Sequence, residues 1–139
     1  MGRVIHTAST GKTRNQLRRT ITELLRHLST KQSVDEDTKD MVAAIVFSLR
    51  EIEAGIESSA QAWEKRDYWM KADAFRLEWE WVGNTANNLT AMVHNDDWDE
   101  MPQMMIALLP RFADINIAKF TRKADIWAGA HGQLMQEKA

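Results

Sequence analysis

The sequence predicts an all-α fold, a single helical domain over residues 1–139 built as a bundle of four to five mainly antiparallel helices. Three observations carry that reading. Two prolines and six glycines in 139 residues leave long stretches uninterrupted, and eight methionines beside many leucines favour helix over sheet. Apolar residues recur at spacings of three and four through most of the chain. Between 62 and 94 the recurrence sharpens into a heptad seam of the kind found in coiled coils and four-helix bundles.

Residues 1–9 read as a short extended arm. A first helix is expected from about 13 to 29. Thr13 and Gln16 have the spacing of a capping box, in which each side chain satisfies the other residue's backbone N–H. Leu17, Ile21, Leu24, Leu25 and Leu28 then form one apolar stripe. The polar stretch "STKQS" connects to a second helix. Ser33 and Glu36 offer another capping box, and Asp35, Glu36, Asp37 and Asp40 crowd the end where the helix dipole favours carboxylates. Met41, Val42, Ile45, Leu49, Ile52 and Ile56, widened by Val46 and Phe47, make this helix apolar over a broad arc. A helix of that kind is central, with neighbours on more than one flank.

Gly55, Ser58 and Ser59 weaken the segment "AGIESSAQ", so a kink or tight turn is expected over 54–61. The seam that follows is Tyr68, Ala72, Phe75, Trp79, Val82, Ala86, Leu89 and Val93, with Gly83 a blemish within it and Asn95-Asp96-Asp97 its end. Asp97 or Asp99 can cap the next helix, with Pro102 in its first turn. Met101, Met104, Met105, Leu108 and Leu109 are its apolar side, and Pro110 marks its end. "ADINIAKF" (113–120) alternates apolar and polar residues and is expected to be a short irregular or extended segment that makes no sheet alone. A last helix, about 122–136, carries Ile126, Trp127, Ala130 and Leu134, weakened by Gly129 and Gly132.

Composition removes several chemistries. The chain has no cysteine, which excludes disulfides, thiol nucleophiles and zinc–thiolate sites. With 44 % apolar and 27 % charged residues it has the balance of a soluble globular chain. No run approaches the 18 apolar residues of a membrane span, no signal-peptide core is visible, and His6 breaks the myristoylation pattern. The expectation is a cytoplasmic protein that does not engage a membrane. The four histidines form neither a His-x-x-x-His nor a Glu-x-x-His pair, so no metal and no cofactor is expected.

Charge is unevenly spread. Residues 1–31 carry seven basic residues against Glu23 alone, a net +6, while the other 108 carry 11 basic and 19 acidic residues, a net −8. Lys12, Arg14, Arg18 and Arg19 could therefore bind a polyanion, or could pack internally against acidic partners. Gly11-Lys12-Thr13 looks like part of a phosphate-binding loop. The position where that loop needs its first glycine is His6, and no strand precedes it. A helix-turn-helix is disfavoured because the next helix opens with four acids, which repel phosphate.

The densest stretch is "AWEKRDYWMKADAFRLEWEW", which holds four of the six tryptophans. Trp79 lies on the seam and is expected in the core. On a continuous helix Trp81 is rotated about 200° from it, and Trp63 and Trp69 are also off the seam. Trp63, Arg66, Trp69 and Trp81 are therefore the candidate interface or pocket residues, since Trp and Arg concentrate binding energy. This stretch, with "GKTRNQLRRTITELLRHL" and "LLPRFADINIAKFTRKADIW", resembles a family of small all-helical bacterial proteins of uncharacterised role. The resemblance implies a helical fold and brings no activity or site residue with it. The function expected first is a non-enzymatic interaction or scaffold protein that forms a homo-oligomer. A nucleic-acid or polyanion module using the first helix comes second, and a small-molecule binder or enzyme with a tryptophan-lined pocket third.

Overall fold

The computed structural model describes residues 8–138, with side chains from Thr10 onward. It is an all-helical bundle, and no strand occurs among the described residues. The first helix, α1, spans Ala8–Ser29. Ala8 and Ser9, expected in the arm, are helical, and residues 1–7 lie outside the described residues. Thr13 is consequently inside the helix, and the Thr13–Gln16 capping box does not form there. Ile21, Leu24, Leu25 and Leu28 are buried as their spacing requires.

The second helix, α2, spans Glu36–Glu64 and lies between its neighbours as its wide apolar arc demands. Its cap is Asp35 rather than Ser33: the Asp35 carboxylate accepts from the Thr38 backbone N–H at 2.8 Å and from the Thr38 hydroxyl at 2.8 Å. The expected kink at 54–61 is absent. Ile52, Ile56 and Ala60 continue the buried stripe straight through it, and tertiary burial outweighs the propensity cost of one glycine and two serines. Gly55 has a packing reason of its own, because a Cβ there would stand 3.1 Å from the Thr10 methyl of α1.

The long run 62–94 is not one helix. After α2 the chain turns at 65–68, and α3 (Trp69–Glu78) runs back along it. The turn is a Schellman motif: Tyr68 N–H donates to the Trp63 carbonyl at 2.9 Å, Asp67 N–H to that of Glu64 at 3.0 Å, and Asp67 takes φ 65°. Tyr68 is therefore exposed instead of lying on the seam. α4 (Glu80–His94) follows directly after a bend at Trp79, whose φ of −106° and ψ of 10° leave the helical region. Val82, Ala86, Leu89 and Val93 keep their expected burial. Gly83 sits where α4 approaches the Glu53 carboxylate of α2, so the small residue serves the crossing.

A 3₁₀ turn at Trp98–Glu100 leads into α5 (Met101–Leu108), with Pro102 in its first turn and no side-chain cap from Asp97 or Asp99. Pro110 falls in a 3₁₀ turn, Leu109–Phe112. The segment beyond, 113–123, is irregular. The last helix is shorter than expected: a 3₁₀ turn at Ala124–Ile126 precedes α6 (Ala130–Met135). Gly129 starts α6 at φ 80°, a conformation glycine adopts without strain. The acidic first turns of α2 hold this end of the chain. Asp40 accepts from the N–H groups of His131 at 2.9 Å and Gly129 at 3.3 Å, and Asp37 accepts from the Trp127 indole at 2.8 Å.

Candidate interaction surface

The basic face of α1 is used largely inside the molecule. Arg18 makes a bidentate pair with Asp114, at 3.1 and 2.8 Å, and donates to the Arg111 carbonyl at 2.9 Å. That pair holds the Asp114 carboxyl below its ordinary value. Arg19 donates to Glu23 and to the Lys119 carbonyl, each at 2.9 Å. Glu23 is fully buried and fastens the irregular segment to α1. It accepts from the backbone N–H groups of Thr121 and Arg122, each at 2.9 Å, and from the Thr121 hydroxyl at 2.8 Å. Burial pushes its carboxyl up. The hydrogen bonds from Arg122, Thr121 and Arg19 outweigh burial and bring it down to about 2. Arg14 lies over Trp79 and Phe75, 5.1 and 5.5 Å from the ring centres, while Lys12 is exposed on the surface of α1.

The aromatic residues form a chain along one side of the bundle. Trp63 meets Phe75 edge-on at 4.9 Å, Phe75 meets Trp79 at 6.5 Å, Trp79 stacks with Trp81 at 6.2 Å, and Trp81 meets Phe112 edge-on at 5.9 Å. Cations cover these rings: Lys71 lies over Trp63 at 4.6 Å, Arg111 over Trp81 at 4.7 Å and Arg18 over Phe112 at 5.4 Å. The bend at Trp79 brings Trp81 beside it, where a straight helix would turn the two rings apart. Trp79, expected in the core, is half-buried against it. Arg14, Arg18, Trp63 and Trp81 thus belong to one half-buried ribbon at the surface, which includes buried Phe112 and exposed Arg111. Those two lie in a distant part of the sequence, and no local pattern points to them.

Trp69 and Arg66 stand apart from the ribbon. Arg66 is exposed in the α2–α3 turn, and Trp69 opens α3 with 57 % of its surface in water. Beside it are Tyr68 at 54 %, Met70 at 86 % and Leu77 at 72 % exposure. At 100° per residue, Trp69, Met70, Asp73, Ala74 and Leu77 share one face of α3. The opposite face, with Ala72 and Phe75, packs inward. An open hollow of about 590 Å³ lies at the base of this face, lined by Asp67, Tyr68, Trp69, Met70 and Lys71. The heptad pattern places Tyr68 on the seam and singles out neither Met70 nor Leu77. A signal was there: Met70, Ala74, Leu77 and Trp81 repeat at 4-3-4, a second stripe alongside the seam.

The helix that carries the face is tied to α2 by side-chain hydrogen bonds. Arg76, on the flank of α3, donates through Nε and Nη2 to Glu57 of α2, each at 2.9 Å, and through Nη2 to Glu64 at 3.1 Å. The hydrogen bonds to Glu57 and then Glu64 raise the guanidinium above its ordinary value. No helix among the described residues is long and apolar enough to cross a membrane, and no group of three or more His, Asp or Glu residues there could hold a metal. Comparison with protein-family models, curated proteins and solved structures gives no match.

Proposed function

We propose that the chain is a non-enzymatic interaction protein that self-associates through the outward face of α3. The observation that carries this reading is the contiguous exposure of Trp69, Met70 and Leu77, with Tyr68 at the edge, on a helix clamped to α2 by Arg76. Scattered exposed apolar residues need no explanation, but a patch of several hundred Å² on one helix face is often functional. Exposed charged residues precede and follow it, Lys65, Arg66 and Asp67 before and Glu78 and Glu80 after, and Asp73 lies within it.

Sedimentation velocity over a wide concentration range tests the reading. The wild-type chain is expected to move from monomer toward twice its mass as concentration rises. The Met70→Glu/Leu77→Glu variant should remain monomeric, with a folding free energy within about 0.5 kcal/mol of wild type because both positions are exposed. A wild-type chain that stays monomeric throughout contradicts the proposal.

A further inference from the structure

We infer that the partner seated on α3 is a second copy of this chain, its α3 packed antiparallel to the first about a two-fold axis between Asp73 and Ala74; this rests on the self-association proposed above. Charge fixes the direction. Lys65 and Arg66, with Asp67 beside them, precede the apolar face, a net +1, and Glu78 and Glu80 follow it, a net −2. None of the five has an ion-pair partner among the described residues. A parallel pair would set basic end against basic end and acidic against acidic. An antiparallel pair sets Arg66 of each copy toward Glu78 and Glu80 of the other, where opposite charges attract.

The apolar side chains agree with that direction. Met70 and Leu77 are seven residues apart, two helical turns, and both point outward. Antiparallel packing about the midpoint places each Met70 against Leu77 of the other copy, an isologous contact of the kind a two-fold axis generates. Ala74 beside the axis lets the helices approach closely. Asp73 also lies near the axis, and its carboxylate is 3.7 Å from Arg76 of its own helix, an opposite charge that moderates the repulsion between the two copies. Tyr68, Trp69, Met70 and Leu77 offer on the order of 500 Å² per copy, below the ~800 Å² per partner of a standard stable interface. The pair is accordingly reversible, populated at high concentration and lost on dilution.

Cysteine cross-linking tests the arrangement on the full chain, which has no cysteine of its own. A disulfide forms only where two Cα atoms come within about 7 Å. Three single variants are made at exposed α3 positions, Met70→Cys, Ala74→Cys and Leu77→Cys, with Lys12→Cys on α1 as the measure of random collision. Under mild oxidation Ala74→Cys is expected to cross-link to itself roughly tenfold faster than Lys12→Cys, because a pair holds the two thiols at high effective concentration. Met70→Cys alone and Leu77→Cys alone should stay near the collision rate, while an equal mixture of the two, in which about half of the pairs are mixed, should cross-link about half as fast as Ala74→Cys. If Met70→Cys and Leu77→Cys each cross-link to themselves, the pairing is parallel and the inference is overturned. If the chain self-associates but neither the single α3 cysteines nor the mixture exceeds Lys12→Cys, another surface is used, and the inference falls together with the α3 reading, whereas the parallel result overturns the inference alone. If the wild-type chain never self-associates, the inference falls together with the reading beneath it.

Discussion

Glu23→Ala is expected to destabilise the fold by about 3 kcal/mol or more, because it removes the acceptor from several buried or half-buried donors at once. The Glu23 side chain is fully buried and every group around it donates: the N–H groups of Thr121 and Arg122, the Thr121 hydroxyl and Arg19. Glu23→Gln should cost nearly as much, since its amide nitrogen turns a donor toward a site that offers only donors. The pH dependence has a definite sign. The folded carboxyl is depressed from 4.5 to about 2, so its contribution is complete above pH 4.5 and is lost as pH falls toward 2. The amount at stake is about 3 kcal/mol. Urea unfolding of wild type and Glu23→Ala at neutral and acid pH measures this. The two should converge as pH falls through that window, and the Thr121 and Arg122 amides should exchange faster in the variant at neutral pH. Parallel curves at every pH would refute the assignment of the acid-labile stability to Glu23.

Trp127→Ala is expected to cost about 3–5 kcal/mol, the range for truncating a large buried aromatic. Trp127 is 6 % exposed, the most buried tryptophan of the chain. Its indole donates to Asp37 at 2.8 Å, and its ring lies 5.5 Å from that of His27. It joins the C-terminal segment to the start of α2 and the end of α1. Trp127→Phe should recover most of the packing and lose only the hydrogen bond, about 1 kcal/mol. Half-buried Trp79, whose indole N–H has no acceptor among the described residues, should tolerate truncation better. Denaturant midpoints of the three variants decide the order, and a Trp79→Ala loss equal to that of Trp127→Ala would contradict it.

The contrast between these two tryptophans shows what was legible in the sequence. Helical periodicity gave the all-helical class, the buried stripes of α1 and α4 and the central place of α2, because those features depend on neighbours three and four residues away. It failed where a stop signal had unusual chemistry. The turn after α2 uses Asp67 in the left-handed position where glycine or asparagine is expected, so the heptad seam ran unbroken through it. A seam continued through that turn places Tyr68 on it, keeps Trp79 and Trp81 on a single straight helix and hides the outward face of α3. The same limit applies to the basic residues. Their clustering was visible, but Arg18 and Arg19 bond to residues 96 and 100 positions away, Asp114 and Lys119, which no local pattern reveals. The acidic turns of α2 complement its helix dipole, which is what the sequence predicts. They are also the acceptors that fix Trp127 and the start of α6.

The central claim is that α3 presents the surface through which this chain meets its partner. Amide chemical shifts followed over a dilution series test it most directly, since they report residue by residue where association occurs. Residues 66–80 are expected to shift with concentration, most strongly around Met70, Ala74 and Leu77, while α1 and α6 remain unchanged. Shifts confined to the basic face of α1 or to another part of the surface, such as exposed Ile106 of α5 and Leu109 just after it, or spectra that do not change with concentration, would contradict it.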